Sequence, residues 1–464
     1  LDDAKDVVAH AALMIENGEV EPNRIAKTVL VIDEAQDMSY EEYALVHALM
    51  KSNEEMRVIA VGDDDQNIFE FRGSNSRYMA QLLRESEARL VEMTENYRSS
   101  RHVVDFANVF VNGIGGRMKS HPIVSMNNKE GFVSIHHHVS RIMYQPLVNN
   151  LLTHRGRGSV CVLTQTNEDA VILVALLRKH GLNSKLVQSM DGFRFWNMAE
   201  VRMFLKQVNH GSHVPIITDE VWEMAKHRTF ARYADSSTLH YLQRCLSIFE
   251  QTNKAKYYTD FKEFVFESSV EDFCDLSGAD VVVSTIHKSK GREFDDVYML
   301  VTKPQHLMDE VLRRYYVGAT RAKERLFIHS DDSLFDRMPA DEHHVDTRQY
   351  DMPDEIVLQL SHKDVNLGFF KSRKNEILSF RAGQTLRFDN NYLYESDTGL
   401  AVAQLSQKMQ GDLRLWIEKG YFVTSASIRF IVAWRPKDAP QEEKEHAVLL
   451  IDLCLKRDMN NKGS

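Results

Sequence analysis

At 464 residues, with 43% hydrophobic and 27% charged side chains, the chain has the make-up of a globular protein of about two to four domains. No run of eighteen apolar residues occurs, and the start LDDAKDVVAH has neither the basic nor the apolar region of a secretory signal, so no membrane partner is expected. The net charge of −10 argues against a uniformly basic nucleic-acid-binding surface but leaves room for a local basic groove. Cys161, Cys245, Cys274 and Cys454 lack CxxC spacing, which speaks against a zinc ribbon or a disulfide framework and suits a reducing, cytoplasmic setting.

The first elements are two short branched-aliphatic runs, VLVID (29–33) and RVIAVG (57–62), expected as buried strands. Between them SYEEYALVHALM has helical periodicity, with Ser39 and Glu42 at capping-box spacing. Strand, helix and strand within this span predict a βαβ unit and a parallel sheet. A second α/β region starts near residue 88, with strands at VSIHHHV (133–139) and SVCVLTQT (159–166) and a helix over DAVILVALLRKHG (169–181). Residues 208–277 read as helical. VVVSTIH and DDVYMLV return to the buried-strand style, and a helix is expected through RRYYVGATRAKERL. The run 331–355, rich in acids and bearing His and Pro, reads as a linker. Beyond it, RAGQTLRFDNNYLY, LAVAQLS and VTSASIRFIVAW alternate as strands.

Chemistry concentrates at strand ends. In VLVIDEAQD an Asp–Glu pair closes a strand, where one carboxylate can help hold Mg²⁺ and its neighbour can orient or deprotonate a water; the bland alternative is a solvated capping loop. In VGDDDQNIFEFRGS (61–74), Gln66 can sense a phosphate, while Phe69, Phe71 and Arg72 offer planar groups for stacking bases, or simply pack. TENYRSS (94–100) sets Tyr97 beside Arg98, a ring beside a forked donor. Two further blocks are VVVSTIHKSKGREFDDVYML (281–300) and EVLRRYYVGATRAKERL (310–326).

Together these five segments, in this order over about residues 25–330, resemble superfamily 1 helicases of the UvrD/Rep/PcrA type. The resemblance implies ATP and Mg²⁺ as cofactors and single-stranded DNA, or single/double-strand junctions, as partner, with 3′-to-5′ movement. Asp33 matches the Mg²⁺-binding acid and Glu34 the base that activates water. Gln66 matches the γ-phosphate glutamine, Tyr97 the ring on adenine, and Arg98 and Arg321 the two phosphate arginines. Glu293 matches the ribose glutamate, with Gly291 in the same turn, and Phe69, Phe71, Arg72 and His287 match strand-contacting positions. Phe69 and Phe71 stand where the family often has Tyr and Trp, which keeps the π faces.

The expected fold class is α/β, with RecA-like parallel-sheet motor domains, the first one partial. Residues 1–87 would be the C-terminal part of motor domain 1A, and 88–207 and 278–330 two segments of domain 2A. Residues 208–277 would be a reduced helical 2B-like insertion, 331–355 a linker, and 356–464 a β-rich accessory domain, either for a protein partner or for DNA ends, resembling Tudor-like or HIRAN modules, or a purely structural cap. The whole arrangement also resembles the UvrD-like C-terminal region of long bacterial RecQ-type helicase proteins.

One expected element is missing. None of the 21 glycines is followed by lysine, so the phosphate cradle GxxxxGK[ST] does not occur. The expectation is an N-terminally truncated motor that hydrolyses little ATP alone; the alternative is a DNA- or partner-binding module without independent ATPase. The triplet His136–His137–His138 raises a metal reading, but strand neighbours point to opposite faces, which favours a structural role. Trp222 and Trp416 are expected in the core.

Overall fold

The computed structural model describes residues 4–70, 73–86, 88–188, 190, 192–209, 216–370, 373–435 and 445–458. It divides into two compact units, Leu1–Gln165 with Thr285–Tyr350, and Thr166–Ser284 with Asp351–Ser464.

In the first unit, strands Val29–Ile32 and Arg57–Ala60 pair in parallel, Val29 opposite Arg57 and Ile32 opposite Ala60. Helix Tyr40–Ser52 connects them. Its capping box is formed: Ser39 N donates to Glu42 Oε2 at 2.8 Å and Glu42 N to Ser39 Oγ at 3.3 Å. The strands are less buried than their aliphatic runs imply. Ile32 packs on a cluster of Ala35, Met38, Tyr43, Tyr78 and Leu82, whereas Val31 is 62% and Ile59 52% exposed. Alternate residues of a strand point to opposite faces, and here only one face is covered.

The same unit holds five parallel strands side by side: Glu342–Asp346, Phe132–His138, Ala322–Ser330, Phe294–Val301 and Val160–Thr164. Val160–Thr164 is buried throughout, as expected of a parallel strand covered on both faces. Two sequence expectations are corrected here. The helix expected through RRYYVGATRAKERL stops at Ala319, and Ala322–Ser330 is a strand. Pairing on both sides, with Phe132–His138 and Phe294–Val301, overrides the helical period of that segment. The run 331–355 is likewise not all linker, because Glu342–Asp346 pairs with Phe132–His138. Its polar composition suits a sheet edge, where one side of the strand meets water.

In the second unit, Ser184–Leu186 lies parallel to Val281–Thr285. Helices Ala199–Val208, Asp219–Arg232, Leu239–Thr252 and Tyr258–Glu267 gather aromatic side chains. Trp222 is fully buried, edge-on to Phe204 and Phe261 with ring centroids 5.0 Å away in each case. The C-terminal antiparallel sheet runs Glu355–Leu360, His446–Arg457, Tyr421–Trp434, Thr385–Asp389, Tyr392–Glu395, Ala401–Gln404. Trp416 is only half-buried, its ring edge-on to Tyr421 at 5.3 Å, so it is not a core residue. Among the described residues no helix is long and apolar enough to cross a membrane.

Candidate nucleotide and strand site

The site grows from the end of Val29–Ile32. Asp33 is exposed, and its Oδ1 accepts from Glu34 N at 2.9 Å. Glu34 then takes a left-handed conformation, φ 50° and ψ 40°, before the single turn Ala35–Asp37. An L-residue with a side chain pays roughly 1–2 kcal/mol for that conformation, so its surroundings must hold it. Gln36, which the sequence reading passed over, does much of the holding. It is 1% exposed, donates from Nε2 to Glu34 Oε2 at 2.7 Å, and accepts Asp63 N at Oε1 at 2.9 Å. The two acidic clusters of the sequence are thereby stitched together.

Lys290, beside Gly291 in KSKGREF, is the second residue missed. Its Nζ lies 3.1 Å from Glu34 Oε2, forms an ion pair with Asp37, and sits 5.4 Å from the centre of the Phe69 ring. The signal was its place inside an already singled-out block; its partners lie too far off in the chain to be read. Burial opposes ionisation of Glu34, but Lys290, Gln36 and Arg321 together outweigh it and hold its pKa below the ordinary carboxylate value. For Asp37 burial wins over Lys290, with Glu34 and Glu42 adding repulsion, and the pKa is raised.

Gln66 donates from Nε2 to Asp63 Oδ2 at 2.7 Å and accepts at Oε1 from Arg321 Nη2 at 3.1 Å. Arg321 is 2% exposed and also donates from Nε to Val317 O at 2.9 Å. Burial, then the like charge of Arg98, lowers its pKa to about 10, so it stays cationic at neutral pH. Arg98 forms an ion pair with Glu293. Tyr97 is 70% exposed, its hydroxyl donating to Glu95, which leaves its ring open for stacking. Gly291 has φ +80°, a conformation that favours glycine, and adjoins Lys290.

Near Lys290, the rings of Phe69 and His287 approach to 6.1 Å between centroids. Phe71 and Arg72 lie outside the described residues. The Asp63–Asp64–Asp65 carboxylates lie within 4.8 Å of one another, but cationic side chains already engage two of them. Arg117 grips Asp65 with Nε at 2.8 Å and Nη2 at 2.9 Å, and Lys119 pairs with both Asp63 and Asp65. Asp64 is buried and its Oδ2 accepts from Met118 N at 2.7 Å, whereas Asp33 is exposed. A further pair escaped the sequence reading: Arg313, 9% exposed, donates to Glu70 Oε1 at 2.9 Å.

Two family models match this chain, the UvrD/REP helicase N-terminal domain over residues 2–87 and the UvrD-like helicase C-terminal domain over residues 205–333. These matches support a UvrD/Rep-type superfamily 1 helicase. It is 28% identical to the ATP-dependent DNA helicase Rep of Escherichia coli over 220 residues, 44% of this chain and 31% of Rep. It is 27% identical to the ATP-dependent DNA helicase UvrD1 of Mycobacterium tuberculosis over 184 residues, 37% of this chain and 24% of that protein. Against the putative ATP-dependent DNA helicase YjcD of Bacillus subtilis identity is 35% over 85 residues, 18% of this chain and 11% of that one. The chain thus spans less than a third of the length of these relatives. The C-terminal domain of a possible DNA helicase from Lactobacillus plantarum WCFS1 aligns at 12% identity over 54% of this chain and 98% of its own, with a TM-score of 0.27, too low to bear on the fold.

Proposed function

We propose that this chain serves as part of an ATP-dependent, cytoplasmic superfamily 1 DNA helicase or translocase moving 3′ to 5′ on single-stranded DNA. In this reading Glu34 is the base that takes a proton from the attacking water, and Lys290 helps hold its pKa down. Asp33 would hold Mg²⁺, which supplies charge neutralisation at the phosphates. Arg98 and Arg321 face the γ-phosphate, Glu293 the ribose and Tyr97 the adenine ring. Phe69 and His287, with Phe71 and Arg72, contact the strand by stacking and charge, largely without regard to sequence. The observation that carries this reading is the hydrogen bond between Gln66 and Arg321, which joins two blocks expected to meet at one phosphate.

A second reading is favoured by a specific feature of the sequence: no GxxxxGK[ST] occurs in the 464 residues. In that reading the chain is a DNA- or partner-binding module without turnover of its own. Both readings share one proposal, that this chain alone hydrolyses ATP weakly, because a backbone N–H cradle and its lysine are the strongest phosphate contacts of such sites.

The test is oligo(dT) binding by fluorescence anisotropy with ATP turnover measured alongside. The account expects salt-sensitive binding that Phe69→Ala weakens about 5- to 100-fold. Binding indifferent to both salt and Phe69 would remove the strand channel from the account.

A further inference from the structure

Four histidines of the first unit form a ladder across three adjacent strands. His344 of Glu342–Asp346 and His329 of Ala322–Ser330 both stand in register with His136 of Phe132–His138. The rings stack: His136 lies 4.6 Å from His344 at 16°, and 4.5 Å from His329 at 3°. His138 joins from two positions along, 5.2 Å from His329, with its Nε2 3.0 Å from His329 Nδ1. His329 and His138 are 1% and 2% exposed. Stacked faces do not aim their nitrogens at one point. Among the described residues the only group of acids, histidines or cysteines that converges on one point is Asp63–Asp64–Asp65, so the ladder is not a metal cage.

The surroundings favour neutral rings. His138 Nε2 and His329 Nδ1 have room for one proton between them, and His329 Nε2 is buried without a hydrogen-bond partner. His136 Nε2 faces Ser134 Oγ at 3.0 Å and Asn150 Nδ2 at 3.2 Å, and Asn150 in turn contacts His154. The anion nearest the buried pair His138–His329 is Asp346, 3.7 Å from His138 Nδ1, but it is already committed. Arg348 grips it with Nε at 2.8 Å and Nη2 at 2.9 Å, and Tyr350 donates to it at 2.7 Å. Glu342 lies 2.9 Å from His344 Nε2 at the exposed end. Asp336 contacts His137, the neighbour that points to the other face, at 2.9 Å, and Asp331 contacts Arg141 at 3.3 Å. Burial accordingly holds His136 down to about 3 and His138 to about 4, and His329 well below its ordinary value.

The weakest side of the ladder is its edge. Glu342–Val345 are exposed, and the strand pairs on one side only. We infer that the ladder is a proton-operated latch: it holds Glu342–Asp346 on Phe132–His138 while His136, His138 and His329 are neutral, and releases that strand when two or more of them are charged. Adjacent cations a few ångströms apart, with the carboxylate beside the buried rings already held by Arg348, find relief by parting the strand that water can reach. This inference stands independently of the helicase reading.

Hydrogen exchange followed by mass spectrometry at pH 7.5 and 5.0, corrected for intrinsic exchange rates, tests it on the whole chain. Protection of peptides covering 342–346 is expected to fall about tenfold or more at pH 5.0, while peptides covering 294–301 keep theirs. His136→Gln, which removes the ring stacked between His344 and His329, is expected to cut that loss to about threefold. No loss at 342–346, an equal loss in both regions, or a selective loss that His136→Gln leaves unchanged would each overturn the latch.

Discussion

Arg321 donates from Nη2 to Gln66 Oε1 at 3.1 Å, across 255 residues of chain. Each residue is further fixed by its own side, Arg321 by Val317 O and Gln66 by Asp63, so the contact joins two preset groups. Arg321→Ala removes a buried cation and leaves its acceptors without a donor. It is expected to lower stability by about 2–4 kcal/mol, Gln66→Ala by about 1 kcal/mol, with a coupling of about 1 kcal/mol in the double variant. Denaturant unfolding of the four proteins checks this; simple additivity would show that the two groups do not interact.

Lys290 helps hold the Glu34 pKa down. In Lys290→Ala the opposing effect of burial remains while the largest compensating contact is gone, so the Glu34 pKa is expected to rise from its depressed value. With the wild-type pKa depressed, Glu34 contributes stability above the ordinary carboxylate pKa, and that contribution is lost as pH falls through the folded value. Carboxylate NMR titration of both proteins reads the shift directly. An unchanged Glu34 titration in the variant would remove Lys290 from the role assigned to it.

The neutral histidines give stability the opposite chemistry with the same sign. His138 and His329 take up protons in the unfolded chain below about pH 6.5 but resist them when folded. Stability is therefore complete above pH 6.5 and lost as pH falls toward the folded values, with a slope of up to about 3 kcal/mol per pH unit from the two groups. Melting temperature against pH, compared with His329→Asn, is the measurement. Identical pH profiles would mean that His329 is protonated equally in both states.

How much of this could be read from the sequence is instructive residue by residue. The cap Ser39–Glu42 was legible because both partners lie within one turn, and the motif blocks could be picked out because they stand in fixed local patterns. The left-handed Glu34 was not, since its conformation is imposed by Gln36 and Lys290 from outside the tripeptide. Nor were Lys290–Glu34 or the histidine ladder, whose partners come from strands far apart in the chain. Local pattern also misled. VLVI promised burial on both faces and has it on one, and KERL continued a helical period into what pairing makes a strand.

That difference in burial predicts contrasting substitutions. Val31→Thr, on the exposed face, is expected to change stability by about 0.5 kcal/mol or less, while Ile68→Ala, at a fully buried position beside Asn67 and Phe69, should cost about 2–4 kcal/mol. Thermal unfolding of the two variants decides, and a large effect at Val31 would mean that this face is covered in solution.

The central claim is that the five motif blocks build one ATP site in which Glu34 is the base. It is tested most directly by steady-state ATP turnover, with and without oligo(dT), once these 464 residues are joined behind a segment supplying GxxxxGK[ST]. The account predicts DNA-stimulated turnover that Glu34→Gln lowers by about 10²- to 10⁴-fold. DNA-stimulated turnover that Glu34→Gln leaves unchanged would contradict it.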